Sequence, residues 1–568
     1  MKSFSVFLVF FLAALTAVAQ MDTNPVAAHV GANASIVPAN TNAPAAASAT
    51  NGVAVQTDTN TIVAQVKTNA SATQPGTNTV AVQTNAMATA VPVGTNAATR
   101  AMSLTDCFQE ALQHNFDVQI ERYSPQVSLY DLRSAYGGYD PLFNISGQHN
   151  YNKSGVDGVP PTISDGNSFK SDLGGSLPWG LQYDFSGNIS EQYGLVPSGL
   201  SSSTNFDNSG GTIGVQLTQP LLKNFWIDNT RLTIRVAKNR LKYSEQGLRL
   251  QVITSITDVE NAYYELIYAR ENVKVQQEAL DLAQTQLDQD RQRVQIGTLA
   301  QLDVQQDEAQ VAQSRANLIA AQSTFNTAQN TLKNLLTDQY SRWHDLDIQP
   351  TATITNAPLQ LFDLQDSWSK GMTERPDLLQ ARLNVEKQGI QLKFDRNQLF
   401  PELDLTGTYG FNGAAREFSG VFNQFNEGDR PFYSYGAQLS IPLSNVKARN
   451  TVKSDKATLQ QLLLTLKQFE QKVMVQIDNA VKQAQSDYQS VAATRQARIY
   501  AEAALDAEQK KYAVGKSTTF TVLQLQNTLT ADRGQEIRAL ANYYKDLANL
   551  AQQEGSTLER NRINLEAK

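Results

Sequence analysis

The chain has 568 residues, a net charge of -7 and a mean hydropathy of -0.36. That length exceeds the needs of one small core, so several domains or one large repeated unit are expected. The acidic balance argues against nucleic acid as a partner, because phosphate binding needs Lys and Arg clustered on one face. Beyond the N-terminus, no apolar run reaches the ~20 residues that a membrane-spanning helix requires.

Residues 1–19 read as an export signal: Lys2 carries the charge, Val6 to Leu15 is apolar, and Ala17-Val18-Ala19 is a small-residue cleavage pattern. Gln20 follows where a lipoprotein would have Cys, and the only cysteine is Cys107, so no internal disulfide and no Cys-based metal site can form. Residues 20–100 are rich in Thr, Asn and Ala and nearly free of charge and aromatics. Such a segment buries too little apolar surface to offset its ordering entropy and is read as a disordered linker.

The remainder repeats itself. Asn115-Phe116-Asp117-Val118 matches Arg375-Pro376-Asp377-Leu378, and Pro141 matches Pro401, both at an offset of 260. Pro220-Leu221 matches Pro442-Leu443 at 222, and Gly297 matches Gly515 at 218. The fall from 260 to 222 places 38 extra residues between the two prolines of the first copy. A period this long marks a duplicated domain half and not a solenoid module of roughly 20–50 residues. The copies are taken as 101–338 and 362–555, joined by 339–361 and followed by a tail, 556–568.

Each copy changes its hydrophobic period along its length. Phe143, Ile145, Gly147, His149 and Tyr151 alternate with polar residues, as do Leu403, Leu405, Gly407, Tyr409 and Phe411 in the second copy. Ile213 to Leu217 and Tyr433 to Ile441 repeat the pattern. Two-residue alternation marks strands with one apolar and one polar face, and the runs approach the ~9–11 residues of a tilted membrane-crossing strand. The insertion adds two such runs, Phe169 to Leu177 and Leu181 to Ile189, around a Pro178-Trp179-Gly180 turn. Alternation alone leaves open whether these widen a barrel or form an outer hairpin.

After Pro220 and Pro442 the period becomes helical. Val252, Val259, Leu266, Val273, Leu280, Leu287 and Val294 recur every seventh residue, and Val304, Val311, Leu318, Phe325 and Leu332 resume beyond Gly297. The second copy shows Leu459, Leu466, Val473 and Ala480 outward, then Val522, Leu529, Tyr543 and Leu550 on the return. A sustained heptad keeps one seam facing a neighbouring helix. A helical stretch from Asn224 to Ile296 would run roughly 110 Å at 1.5 Å per residue, long enough to suit a periplasm. Gly297 and Gly515 read as the turns at the hairpin tips.

Strands followed by a long helical hairpin, twice over and behind a signal peptide, resemble the TolC family of outer-membrane efflux proteins. The resemblance covers about residues 102 to 555. It rests on the opening Leu104-Thr105-Asp106-Cys107-Phe108-Gln109-Glu110-Ala111-Leu112 with Asn115, on Gln216-Leu217-Thr218-Gln219-Pro220-Leu221, and on the paired tips at Ile296-Gly297-Thr298 and Val514-Gly515-Lys516. It implies a mixed α and β fold in which outer-membrane β-barrel strands continue into coiled-coil helices extending into the periplasm of a Gram-negative-type cell. It further implies a homotrimer in which each chain gives four strands to a twelve-stranded barrel embedded in outer-membrane lipid. The role implied is the passive exit duct of a tripartite efflux or type I secretion system. A periplasmic adaptor (membrane fusion protein) would dock on Ile296, Gly297, Thr298, Val514, Gly515 and Lys516 and link the duct to an inner-membrane transporter. The family's closed tip points to Asp303 and Tyr512 as gate residues. Ser517, Thr521 and Gln524 stand where an Arg and two acidic residues are usual, which speaks against a salt-bridge lock or a carboxylate ring. Asp303 as a helix cap and Tyr512 as a packing residue are the plainer readings.

No catalytic set emerges, so no enzyme, metal or cofactor is expected. His29, His114, His149 and His344 lack zinc-ligand spacing, and there is no phosphate loop. The rival reading is a periplasmic adaptor or a structural coiled-coil envelope protein, but adaptors lack a duplicated strand pair flanking two hairpins.

Overall fold

A computed structural model describes residues 99–199, 202–358, 360 and 362–564. The signal peptide, all but the last two residues of the linker, and the final four residues of the tail lie outside the described residues. The first described element, β1 (Thr99–Met102), pairs in parallel with β6 (Asp347–Pro350). Helix α1 (Leu104–His114) starts with a reciprocal cap: Asp106 N–H donates to Ser103 Oγ at 3.2 Å, and Ser103 N–H to Asp106 Oδ2 at 2.9 Å. Helix α2 (Phe116–Tyr136) is capped by Asn115, whose Oδ1 accepts from Asp117 and Val118.

Six strands then form one antiparallel sheet in the order β2 (Leu142–Ser154), β3 (Thr162–Ser176), β4 (Gln182–Pro197), β5 (Ser203–Pro220), β7 (Glu402–Ala415), β8 (Pro431–Ser440). The four strands per chain implied by the resemblance are therefore corrected to six. The insertion left open by the sequence supplies β3 and β4, which pair with β2, with each other and with β5 inside the sheet. Alternation holds through every ladder. The row Phe143, Leu173, Phe185, Val215, Tyr409 and Tyr433 runs across all six strands on one face, while Asn144, Asp172, Ser186, Gly214, Gly410 and Phe432 run beside it on the other. Much of the apolar face is exposed in the single chain, Tyr435 to 86%. Among the described residues, the outer edges of β2 and β8 have no partner strand.

At one end the sheet meets the helices. The turn around Gly180 (φ 93°) is tied to the following helix by Arg231, whose Nε donates to the Pro178 carbonyl at 2.6 Å. Helix α3 (Asn229–Gln295) is one rod of 67 residues, about 100 Å long. It begins five residues later than the heptad reading placed it. Asn224 takes a positive φ of 64°, and the Asp228 carboxylate caps the helix by accepting from Arg231 N–H at 2.7 Å. Helix α4 (Gln301–Leu336) returns along it. After the short α5 (Tyr340–Trp343) come α6 (Leu364–Glu374) and α7 (Pro376–Asn397), then β7, α8 (Phe418–Glu427), β8, α9 (Val446–Ala513, 68 residues) and α10 (Thr519–Glu554). Among the described residues no helix is long and apolar enough to cross a membrane.

Most seam residues of the first hairpin and of α10 are buried, as their spacing requires, while Val273, Val294, Val311, Phe325, Leu459, Leu466 and Ala480 are half-buried. Val252, Val259, Leu266, Leu280 and Leu287 are buried on α3, as are Val304, Leu318 and Leu332 on α4 and Val522, Leu529, Tyr543 and Leu550 on α10. The largest core cluster joins α1, α3, α4 and β6, with the Tyr263 hydroxyl donating to the Met102 carbonyl at 3.1 Å. The tail also packs: α11 (Thr557–Arg560) adds Leu558 to this cluster, and Arg560 pairs with the buried Glu260 at 3.3 Å. Cys107 is fully buried, and burial pushes its thiol up to about 12, which makes it unreactive.

Candidate functional site

The far ends of the two hairpins carry matching turns. In the first, Gly297 (φ 75°) donates to the Val294 carbonyl and Thr298 N–H to the Arg293 carbonyl, both at 2.9 Å. In the second, Gly515 (φ 74°) donates to Tyr512 at 3.1 Å and Lys516 N–H to Lys511 at 2.9 Å. Both are Schellman caps, which need a left-handed residue after the helix and so favour Gly. Ile296 and Val514, just before the glycines, are 75% and 68% exposed, and a Cβ added at either glycine would meet nothing within 4 Å. The tips present apolar side chains on a backbone that nothing in the single chain covers.

One turn back lies a buried polar cluster. The Tyr512 hydroxyl donates to Asp290 Oδ1 at 2.7 Å and lies 2.8 Å from Thr519 Oγ1; Gln286 Nε2 donates to Asp290 Oδ2 at 2.8 Å. Arg293 stands 3.7 Å from Asp290 and places its guanidinium 4.4 Å from the centre of the Tyr512 ring. Burial, and then the neighbouring Asp290, push the Tyr512 phenol up to about 12. Residues from α3, α9 and α10 meet here, so the cluster bolts one hairpin to the other. The carboxylate that Tyr512 engages is Asp290, on the outgoing helix, and not Asp303. Asp303 sits half-buried in the first turn of α4, where its charge suits the helix N-terminus, and makes no hydrogen bond to Tyr512.

Asp307 completes the cluster. It is 1% exposed, neither of its oxygens has a donor among the described groups, and it faces Asp290. Burial, with the Asp290 and Asp303 charges behind it, raises its carboxyl to about 7. A proton on Asp307 donated to Asp290 replaces two facing like charges with one hydrogen bond. The native tip therefore binds a proton that a solvated Asp307 releases near 4, and it loses stability as pH rises through about 7. Hydrogen-exchange protection of 286–294 and 303–311 should be lower at pH 8 than at pH 6, and Asp307→Asn should remove most of that difference. An unchanged pH dependence in the variant would contradict the shared proton.

Neither Asp290 nor Asp307 was singled out from the sequence, although a signal was there. Each lies three residues after a heptad position, Leu287 and Val304, where the seam should be apolar. Ser517, standing in place of the expected Arg, closes its own turn by donating to Glu508 Oε1 at 2.5 Å. The cation beside Tyr512 comes instead from Arg293, on the other hairpin. Among the described residues no group of three or more acidic, His or Cys side chains could hold a metal.

A sheet apolar on one face and polar on the other, standing on helical rods about 100 Å long, supplies the wall and the stalk of a duct through an outer membrane. A profile of the outer membrane efflux protein family matches residues 107–337 and 369–556, and the chain belongs to that family. It is an outer-membrane efflux channel whose helices reach into the periplasm. The chain is 24% identical over 337 residues to the outer membrane efflux protein BepC of Brucella suis, covering 59% of this chain and 70% of that one. It is 23% identical over 411 residues to the outer membrane protein TolC of Escherichia coli, covering 70% and 78%. In fold it resembles the outer membrane protein VceC of Vibrio cholerae (TM-score 0.59, 17% identity, 80% of this chain and 96% of that one). It also resembles the CmeC outer membrane channel of Campylobacter jejuni (TM-score 0.58, 15% identity, 80% and 86%).

Proposed function

We propose that three copies of the chain close into one passive duct, with β8 of each copy pairing with β2 of the next. Six strands from each of three chains make an eighteen-stranded barrel, wider than the twelve strands the resemblance implies, because diameter grows with strand number. Closure answers the two open edges, since an unpaired backbone group in lipid costs several kcal/mol. The observation that carries this reading is the apolar row from Phe143 to Tyr433, which runs unbroken across all six strands. The polar face then lines the lumen.

The chain is read as a duplication, with copies at 101–338 and 362–555. Matched positions support it: Asn115 and Arg375 each precede a helix start, Pro141 and Pro401 each precede a strand, and the hairpins have 67 with 36 residues and 68 with 36. The tips at Ile296-Gly297-Thr298 and Val514-Gly515-Lys516 dock a periplasmic adaptor, through which an inner-membrane transporter drives export. The Tyr512–Asp290–Asp307 cluster holds the closed tip, and Asp303 acts on it only through its charge. No step of covalent chemistry is needed: cargo leaves down its gradient.

Detergent-purified trimers added to planar bilayers should give discrete conductance steps. Trimers that insert and never conduct would overturn the duct.

A further inference from the structure

Helix α8 interrupts the β7–β8 hairpin at the end of the sheet away from the stalk. Phe418, Val421, Phe422 and Phe425 share one side of it, while Ser419, Asn423 and Glu427 lie on the far side. It does not stand clear of the sheet. Val421 and Phe425 rest on Gly413 and Gly211, where an added Cβ would come within 2.8 Å of Val421 Cγ1 and 3.1 Å of the Phe425 ring. The Phe418 ring lies 5.7 Å from that of Phe169, and Gln424 Oε1 accepts from Ala414 N–H at 2.7 Å. These sheet residues form one row: Gly413 pairs with Gly211, Gly211 with Ile189, and Ile189 with Phe169. The helix therefore crosses the strands, seated in a groove that two facing glycines open.

The row lies on the apolar face, directly below a polar row. On the stalk side follow Phe411 and Ile213, then Tyr409, Val215, Phe185 and Leu173; on the other side come Ser209, Glu191, Asn167 and His149. From Leu403 to Gly413, ten steps of about 3.3 Å on a strand tilted ~40° span roughly 25 Å, the height of an outer-membrane apolar band. Amphipathic helices lie in the plane where headgroups meet acyl chains, with the apolar side inward. Phe422 remains 51% exposed beside Phe418, their rings 5.6 Å apart, and extends the greasy surface past the groove.

From this juxtaposition we infer that α8 is a lipid-boundary helix. It lies on the outside of the barrel at the edge of the outer leaflet, with Phe418 and Phe422 touching acyl chains and the Ser419–Asn423–Glu427 side facing headgroups. The inference rests on the barrel reading, because it needs the apolar face to look outward. A plug helix would have to sit on the opposite, polar face.

The test is a spin label on full-length trimers in phosphatidylethanolamine/phosphatidylglycerol vesicles. Cys107, fully buried, stays unlabelled. Labels go at F422C, at Y409C within the apolar band and at T408C on the polar face, and each is probed with oxygen and with a water-soluble nickel chelate. Oxygen should dominate at 409 and nickel at 408, and the ratio at 422 should fall within about twofold of that at 409. A clear 408/409 contrast with 422 resembling 408 overturns the lipid-boundary helix and leaves the barrel standing. No contrast between 408 and 409 overturns the barrel and the helix with it. Should F422C not assemble, F418C reads the same contact.

Discussion

Tyr512→Phe should raise the open probability of the duct in planar bilayers by roughly 10- to 100-fold. The ring stays and packs as before, but Asp290 loses a buried donor, and a hydrogen bond to a charged group contributes about 1.5–3 kcal/mol. Asp290→Ala should act at least as strongly, because it removes the acceptor shared by Tyr512 and Gln286 and strips Asp307 of its partner. Asp303→Ala should change little, since that carboxylate only adds charge behind Asp307. If Asp303→Ala opened the duct as far as Tyr512→Phe, the bolt would lie elsewhere at the tip.

The second large effect belongs to the turns. Gly297→Trp and Gly515→Trp should abolish export while trimers still form. A side chain at φ near +75° is strained by roughly 1–2 kcal/mol, too little to unfold rods this long. Its bulk enters open space in the free chain and, on the docking proposed above, the adaptor's place in the complex. Gly→Ala at the same positions carries similar strain without the bulk and should keep most of the export. Adaptor crosslinking at wild-type levels in the Trp variants would remove the docking role from these turns.

What could be read from the sequence followed from periodicity. Strand alternation located β2, β5, β7 and β8, and heptads located the hairpins, because one buried face imposes its period directly on the residues. The tip glycines were equally plain, since only a left-handed turn explains Gly between two heptad runs. The strand count was not legible. Runs at Phe169 and Tyr183 announced strands, but whether a hairpin joins a sheet or leaves it depends on pairing, and pairing leaves no mark on one strand's own pattern. The partner of Tyr512 was missed for a related reason. Tyr512 reaches a carboxylate 222 residues away on another helix, and only the polar intrusions of Asp290 and Asp307 into an apolar seam pointed there. The helix start at Asn229 was misplaced because Asn224 and Asp228 act through local geometry that apolar spacing does not report.

Imaging of detergent-extracted, full-length protein by single-particle cryo-electron microscopy tests the central claim most directly. The expected map shows a threefold particle with a continuous eighteen-stranded wall, β8 of each chain hydrogen-bonded to β2 of the next, and polar side chains lining the lumen. A map in which β2 and β8 end against solvent, or in which the apolar face turns inward, would contradict it.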